Sequence, residues 1–248
     1  MIFKQDIPWH KNKYLEVNFN KKESIHYVFY FSKESLAEQD IDRITFLKEK
    51  HYLKIKKWLG VNTDRRISYY LYSSKKEKES LMGDDSFGNA IWKELDTEPK
   101  DFEVHVIYNE KCKFVGEHED THLLSLPWGL SIYLFCEGLA QYMEDGFMGE
   151  SLHVVSKRLL QEKKLYSIEF LCDNNNWKSV EPVIIYPQVG SFSKFIIEKY
   201  GKDKFKELYQ NTSRSFDKTR NLLKIERIYK KGINQLEHEW LDFLKASY

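Results

Sequence analysis

No stretch of about 20 apolar residues occurs in this 248-residue sequence, which excludes a bilayer-spanning helix. Cysteine is scarce: Cys112, Cys136 and Cys172 are too few and too irregularly placed for a disulfide framework. None has an obvious paired base, so a nucleophilic role is not expected of them. A dominant charge is missing as well: 39 Lys and Arg against 38 Asp and Glu leave a net charge of +1. That balance gives no electrostatic footprint for nucleic acid, and the Lys-rich patches read as solvated faces. There is no internal repeat and no low-complexity tract. The first residues, Met1 to Pro8, lack a basic stretch followed by an apolar run, so no secretory signal is read there. A cytoplasmic location is expected, or a secreted one if a leader has been removed. No integral membrane segment and no nucleic-acid partner are expected. The oligomeric state is not legible.

What the chain does have is a large apolar fraction, 42%, rich in aromatic residues. This supports a real core in one large domain, or in two lobes sharing a cleft. Residues 1–22 show no strong period. Ile25 to Phe31 reads as a strand. Leu36 to Leu59 carries apolar residues at helical spacing, with Ser32 or Ser35 as a possible cap and Gly60 as a stop. Arg66 to Tyr72 is a second strand, followed by a short charged helix from Ser73 or Ser74 to Gly83. Ala90 to Trp92 suggests a short strand, and Lys93 to Lys100, polar and containing Pro99, a connection. Phe102 to Tyr108 alternates as a strand, either an ordinary one or an exposed edge able to pair with an extended peptide. Helices are expected at about 111–124, 130–144, 152–161 and 165–171. A polar loop follows at Asp173 to Asn176, and Val183 to Pro187 reads as extended. Further helices are expected at 192–200, 204–210 and 233–244. The fold class is therefore α+β: a small N-terminal mixed sheet with helices over about 1–126, then a mostly helical lobe over about 127–248, together making a single domain.

The chemistry concentrates in His118-Glu119-Asp120-Thr121-His122. Residues four apart on a helix share a face, so His118 and His122 can point at one ion. Neutral imidazoles suit zinc, and a carboxylate from a second helix, Glu137, can be the third ligand. Three protein ligands leave a fourth position to water, and Glu119 is placed to take that water's proton. Cys136 adjoins Glu137, but its direction around the helix differs by roughly 100°, so packing rather than ligation is expected. Asp120 or Gln141 could orient a ligating histidine from behind, and Asp120 could equally be a solvated helix residue.

The motif, together with Glu137-Gly138-Leu139-Ala140-Gln141-Tyr142, resembles the gluzincin metallopeptidases. More narrowly it is similar to the bacterial peptidase MA-like domains, distant relatives of thermolysin and the aminopeptidase N group. Their G-S-F-x-x-F-L-I-x-x-Y-G helix is similar to Gly190 to Gly201 here, and their L-E-x-E-W segment to Leu236 to Trp240. The resemblance covers most of the chain from about residue 24. It implies a zincin-like fold, one Zn2+ held by His118, His122 and Glu137, and Glu119 as general base. It also suggests Tyr186 as donor to the oxyanion, against the plain reading of an aromatic packed at a strand end. Three features depart from the pattern. Only 14 residues separate His122 from Glu137, the tryptophan that often precedes the E-G segment is absent with Phe135 standing there, and no G-x-M-E-N motif for a free amino terminus is present. The expected activity is zinc-dependent hydrolysis of a peptide or protein substrate; the missing motif favours endopeptidase over aminopeptidase activity or leaves the specificity open. The alternatives are an inactive zinc-binding interaction module and a metallohydrolase acting on a non-peptide amide.

Overall fold

The computed structural model describes residues 2–3, 17–95, 98–113 and 115–246. It divides into two compact units, Met1–Ser125 and Leu126–Tyr248.

The first unit is built on a mixed sheet of six strands: β1 (Ile2–Phe3), β2 (Phe19–Glu23), β3 (Tyr27–Ser32), β4 (Ile67–Tyr72), β5 (Gly88–Leu95) and β6 (Glu98–Ile107), in the order β1-β5-β6-β4-β3-β2. β3, β4 and β6 run parallel. β2 and β5 pair antiparallel to β3 and β6 respectively, and β1 lies parallel to β5. Parallel neighbours need crossovers. One is α1 (Leu36–Leu59), and the second includes α2 (Lys75–Met82). Both helices have local start and stop signals. Ser35 and Ser74 accept the backbone N–H of Glu38 and Glu77, and Gly60 and Gly83 end the helices with φ of 66° and 72°.

The pleat sends alternate aromatic side chains to opposite faces. Tyr27 packs edge-on to Tyr52 of α1, with Phe29 and Tyr69 beside it. Phe19, Tyr70 and Tyr72 pack with Leu81 of α2. Burying one such ring contributes roughly 1.5–3 kcal/mol before entropy is counted.

Residues 1–22, which show no strong period, hold β1 and most of β2, and residues 4–16 lie outside the described part. One expectation in the sheet is corrected. The polar segment 93–100 is no simple connection. Lys93, Glu94 and Leu95 pair with Lys100, Pro99 and Glu98, so β5 and β6 form a hairpin. Pro99 is tolerated because it stands at the start of β6, where a missing N–H costs little. Of the two readings of Phe102 to Tyr108 the ordinary strand holds: from Glu103 to Ile107, β6 pairs with β4 on one side and lies against β5 on the other.

The second unit is helical: α4 (Tyr133–Glu144), α5 (Leu152–Gln161), α6 (Ile168–Leu171), α7 (Pro182–Tyr200), α8 (Lys202–Asn211), α9 (Lys218–Tyr229) and α10 (Ile233–Ala246), with short 3-10 turns at Leu126–Trp128 and Asn174–Ser179. The segment Val183 to Pro187 is helical, not extended. Pro182 stands at the first helical position, where a fixed φ favours the helix, and Pro187 is carried inside. Pro187 still offers its carbonyl, which accepts from Ser156 Oγ at 3.0 Å. The turn expected at Asp173 to Asn176 is a 3-10 helix capped by Asp173.

α4 and α7 cross closely, and glycine makes this possible. A Cβ on Gly138 would overlap Ser193 Oγ and stand 2.9 Å from the Val189 carbonyl oxygen. A Cβ on Gly190 would lie 2.6 Å from Gln141 Cβ. Trp240 of α10 is fully buried and donates its indole N–H to Ser191 of α7 at 3.0 Å.

Candidate metal centre

The helix carrying the histidine pair, α3 (His118–Leu124), is seven residues long. It begins at His118, not near Lys111. Upstream, Asn109 Oδ1 accepts the backbone N–H groups of Lys111 and Cys112 at 3.0 and 3.1 Å, and Asn109 and Cys112 exchange backbone hydrogen bonds. The chain there forms a bridged turn in place of the first helical turn expected.

His118 and His122 stand one turn apart with ring centroids 4.9 Å apart and planes at 83°. His122 and Glu137 are buried, and His118 is partly exposed. The ligand atoms of His118, His122 and Glu137 all lie within 4.8 Å of one another, a group that can hold a metal ion. Two imidazoles and one carboxylate form a donor set of borderline hardness, of the kind that zinc and other first-row divalent ions take. Cys136 is buried and packs with its Sγ 3.3 Å from both the Ser131 carbonyl and Tyr209 Oη.

Glu119 is partly exposed. Its Oε2 is buried and has no hydrogen-bond partner among the described residues. Its Oε1 lies against Gly88 on β5, 2.7 Å from the position of a Cβ there. The ammonium of Lys78, fully buried, is in the field of Glu119. Lys78 donates to Asp84 Oδ2 at 2.7 Å, to the Ser86 carbonyl at 2.6 Å and to Ser86 Oγ at 3.0 Å. Burial lowers the Lys78 pKa, opposed by Asp84 and Glu119. Burial also holds His105 well below the usual histidine range, so it stays neutral, 2.9 Å from Tyr72 Oη.

Asp120 is not a solvated residue. It is fully buried, with Oδ2 2.5 Å from Lys48 Nζ of α1 and accepting from Tyr27 Oη at 2.7 Å. Lys48 also donates to the Gly116 carbonyl at 2.8 Å. Neither partner was expected from the sequence. A signal for Lys48 exists all the same: it occupies the buried stripe Ile44, Lys48, Tyr52, Ile55, Leu59, an apolar face interrupted by one lysine. Tyr27, 93 residues from Asp120, has no local signal. Gln141, the other expected second-layer residue, donates its amide to the Gly146 carbonyl at 2.8 Å.

In the helical unit, Arg214 lies near Glu137 and was also not foreseen. It donates to the Ser131 carbonyl at 3.1 Å, stacks on Tyr133 with its guanidinium carbon 4.1 Å from the ring centroid, and feels the charge of Glu137. Tyr186 is partly exposed on α7, inside the helix and not on an extended lead-in to it. The sequence matches no protein-family model and no curated protein sequence.

Proposed function

We propose that this chain is a zinc-dependent metallopeptidase of gluzincin type on a zincin-like fold, acting on peptide or protein substrates. The observation that carries the reading is the convergence of His118, His122 and Glu137, with Glu119 next to the first ligand on the same short helix. His118 and His122 would offer imidazole nitrogens and Glu137 a carboxylate oxygen. A bound zinc ion supplies Lewis-acid polarisation of a carbonyl and lowers the pKa of water to about 7. Glu119, with an oxygen that has no hydrogen-bond partner among the described residues, accepts the proton of the attacking water and delivers it to the leaving amine. Tyr186 donates its phenol hydrogen to the developing oxyanion.

The test is a pair of measurements on one variant. Glu119→Gln is expected to bind zinc at the wild-type stoichiometry and to lose hydrolysis of a casein or peptide-library substrate. A chelator should abolish wild-type turnover. Wild-type turnover retained in Glu119→Gln, or no zinc in the wild-type protein, overturns the proposal.

A further inference from the structure

Lys48, Tyr27 and Asp120 form a buried charged network directly behind the histidine helix. We infer that Lys48 and Tyr27 are positioning residues that fix the rotation of α3 through Asp120. This rests on the metallopeptidase reading above for its catalytic meaning, but not for its structural content. Lys48 grips the chain on both sides of Glu117: the Gly116 carbonyl before the helix and Asp120 within its first turn. Tyr27, from β3, donates to the same carboxylate oxygen from the sheet. The ammonium also lies 4.6 Å from the Tyr69 ring centroid, so its third side faces an aromatic surface. α3 is thereby tied to both a long helix and a central strand by groups that tolerate little angular change.

The rotation matters because His118, Glu119 and His122 project from the same seven residues. A side chain ending about 6 Å from a helix axis moves on the order of 1 Å for a 10° turn. A displacement of that size can cost about 100-fold in rate. A network serving stability alone would do better with apolar residues, since buried ion pairs seldom repay their desolvation. This one even leaves Asp120 Oδ1 buried with no hydrogen-bond partner among the described residues. The arrangement favours fixed geometry over maximal stability.

The experiment compares Tyr27→Phe and the doubly neutral Lys48→Met, Asp120→Leu variant with the wild type. Four measurements are made: thermal midpoint, amide hydrogen exchange of a peptide covering 117–125 in the metal-free protein, zinc affinity by chelator competition, and steady-state kcat and KM on a peptide substrate. Both variants should still fold in one cooperative transition, Tyr27→Phe near the wild-type midpoint because Asp120 keeps Lys48, and the double variant at a lower one because Tyr27 Oη and the Gly116 carbonyl lose their partners. Exchange in 117–125 should accelerate at least about tenfold while the sheet is unaffected. Zinc affinity should fall by about 10–100-fold, and kcat should fall with little change in KM. Wild-type exchange in Tyr27→Phe overturns the inference. So does a double variant that folds with wild-type exchange and zinc affinity. If the wild type takes up no zinc, the functional reading fails, and the exchange rates still decide the positioning role.

Discussion

Glu119 and Gly88 share one space: the carboxylate Oε1 stands where a side chain at residue 88 would intrude. The strand supplies a glycine and the helix supplies the group that fills the gap. Gly88→Ala should therefore push the carboxylate aside without touching a ligand. Zinc content and thermal midpoint are expected to stay close to wild type while kcat/KM falls by about 100-fold. Metal analysis beside steady-state kinetics checks this, and wild-type kinetics would show that the carboxylate has room to spare.

The α4–α7 crossing makes a different prediction. Gly138→Ala places a methyl group against Ser193 and against a backbone carbonyl that cannot swing away. Overpacking of this kind costs about 1–3 kcal/mol. Because Glu137 is the adjacent residue on α4, zinc affinity should drop alongside the midpoint in urea or heat.

Metal should also act as a ligand of the folded state alone. With free zinc at about 100 times its dissociation constant, linkage adds about 2.7 kcal/mol to unfolding free energy. The gain should appear as a higher thermal midpoint in the wild type and be absent from His122→Ala. An equal gain in that variant would place the ion elsewhere.

Acid should weaken the helical unit through His153. Burial, helped by Lys194, holds its pKa at about 4, and Nδ1 sits 2.8 Å from Ser191 Oγ. Between the unfolded value near 6.5 and about 4, the unfolded chain binds the proton and the folded chain does not. Stability is therefore full above 6.5 and declines as pH falls through that window, by at most about 3 kcal/mol. His153→Asn should flatten the decline in chemical unfolding followed by tryptophan fluorescence. An unchanged slope would assign the acid sensitivity to other groups, such as His105.

The sequence was readable where the signal is local. Ser35 and Gly60 bracket α1, Ser74 and Gly83 bracket α2, and each cap acts within one helical turn. The histidine pair was readable for the same reason, being a one-turn relationship. The difficulties arose where partners decide. Phe19 to Glu23 is polar enough to pass for a loop and becomes a strand by pairing with β3. Lys93 and Lys100 belong to strands because the hairpin register carries them past Pro99. Pro187 argues locally against a helix, yet Pro182 starts one and packing against α4 carries it through. Helix α9, Lys218–Tyr229, falls in the region read as helical from Gly190 onward, but its bounds are not legible in a charged stretch, although Asp217 caps it.

At the site, the divide follows sequence separation. Asp120 looked equally like a surface residue, because Lys48 and Tyr27 reach it from 72 and 93 positions away. Arg214 likewise meets Glu137 through the fold alone. The lysine in the apolar stripe of α1 is the one long-range partner whose position in the sequence already marks it as unusual.

The brevity of α3 bears on the order of assembly. Seven residues are far fewer than the roughly 12–15 at which an isolated helix begins to persist in water. The histidine pair therefore takes its spacing only after α1 and the sheet have come together around it. The helix that carries the pair owes its persistence to its packing, so loosening α1 or the sheet would release the ligands' spacing with it.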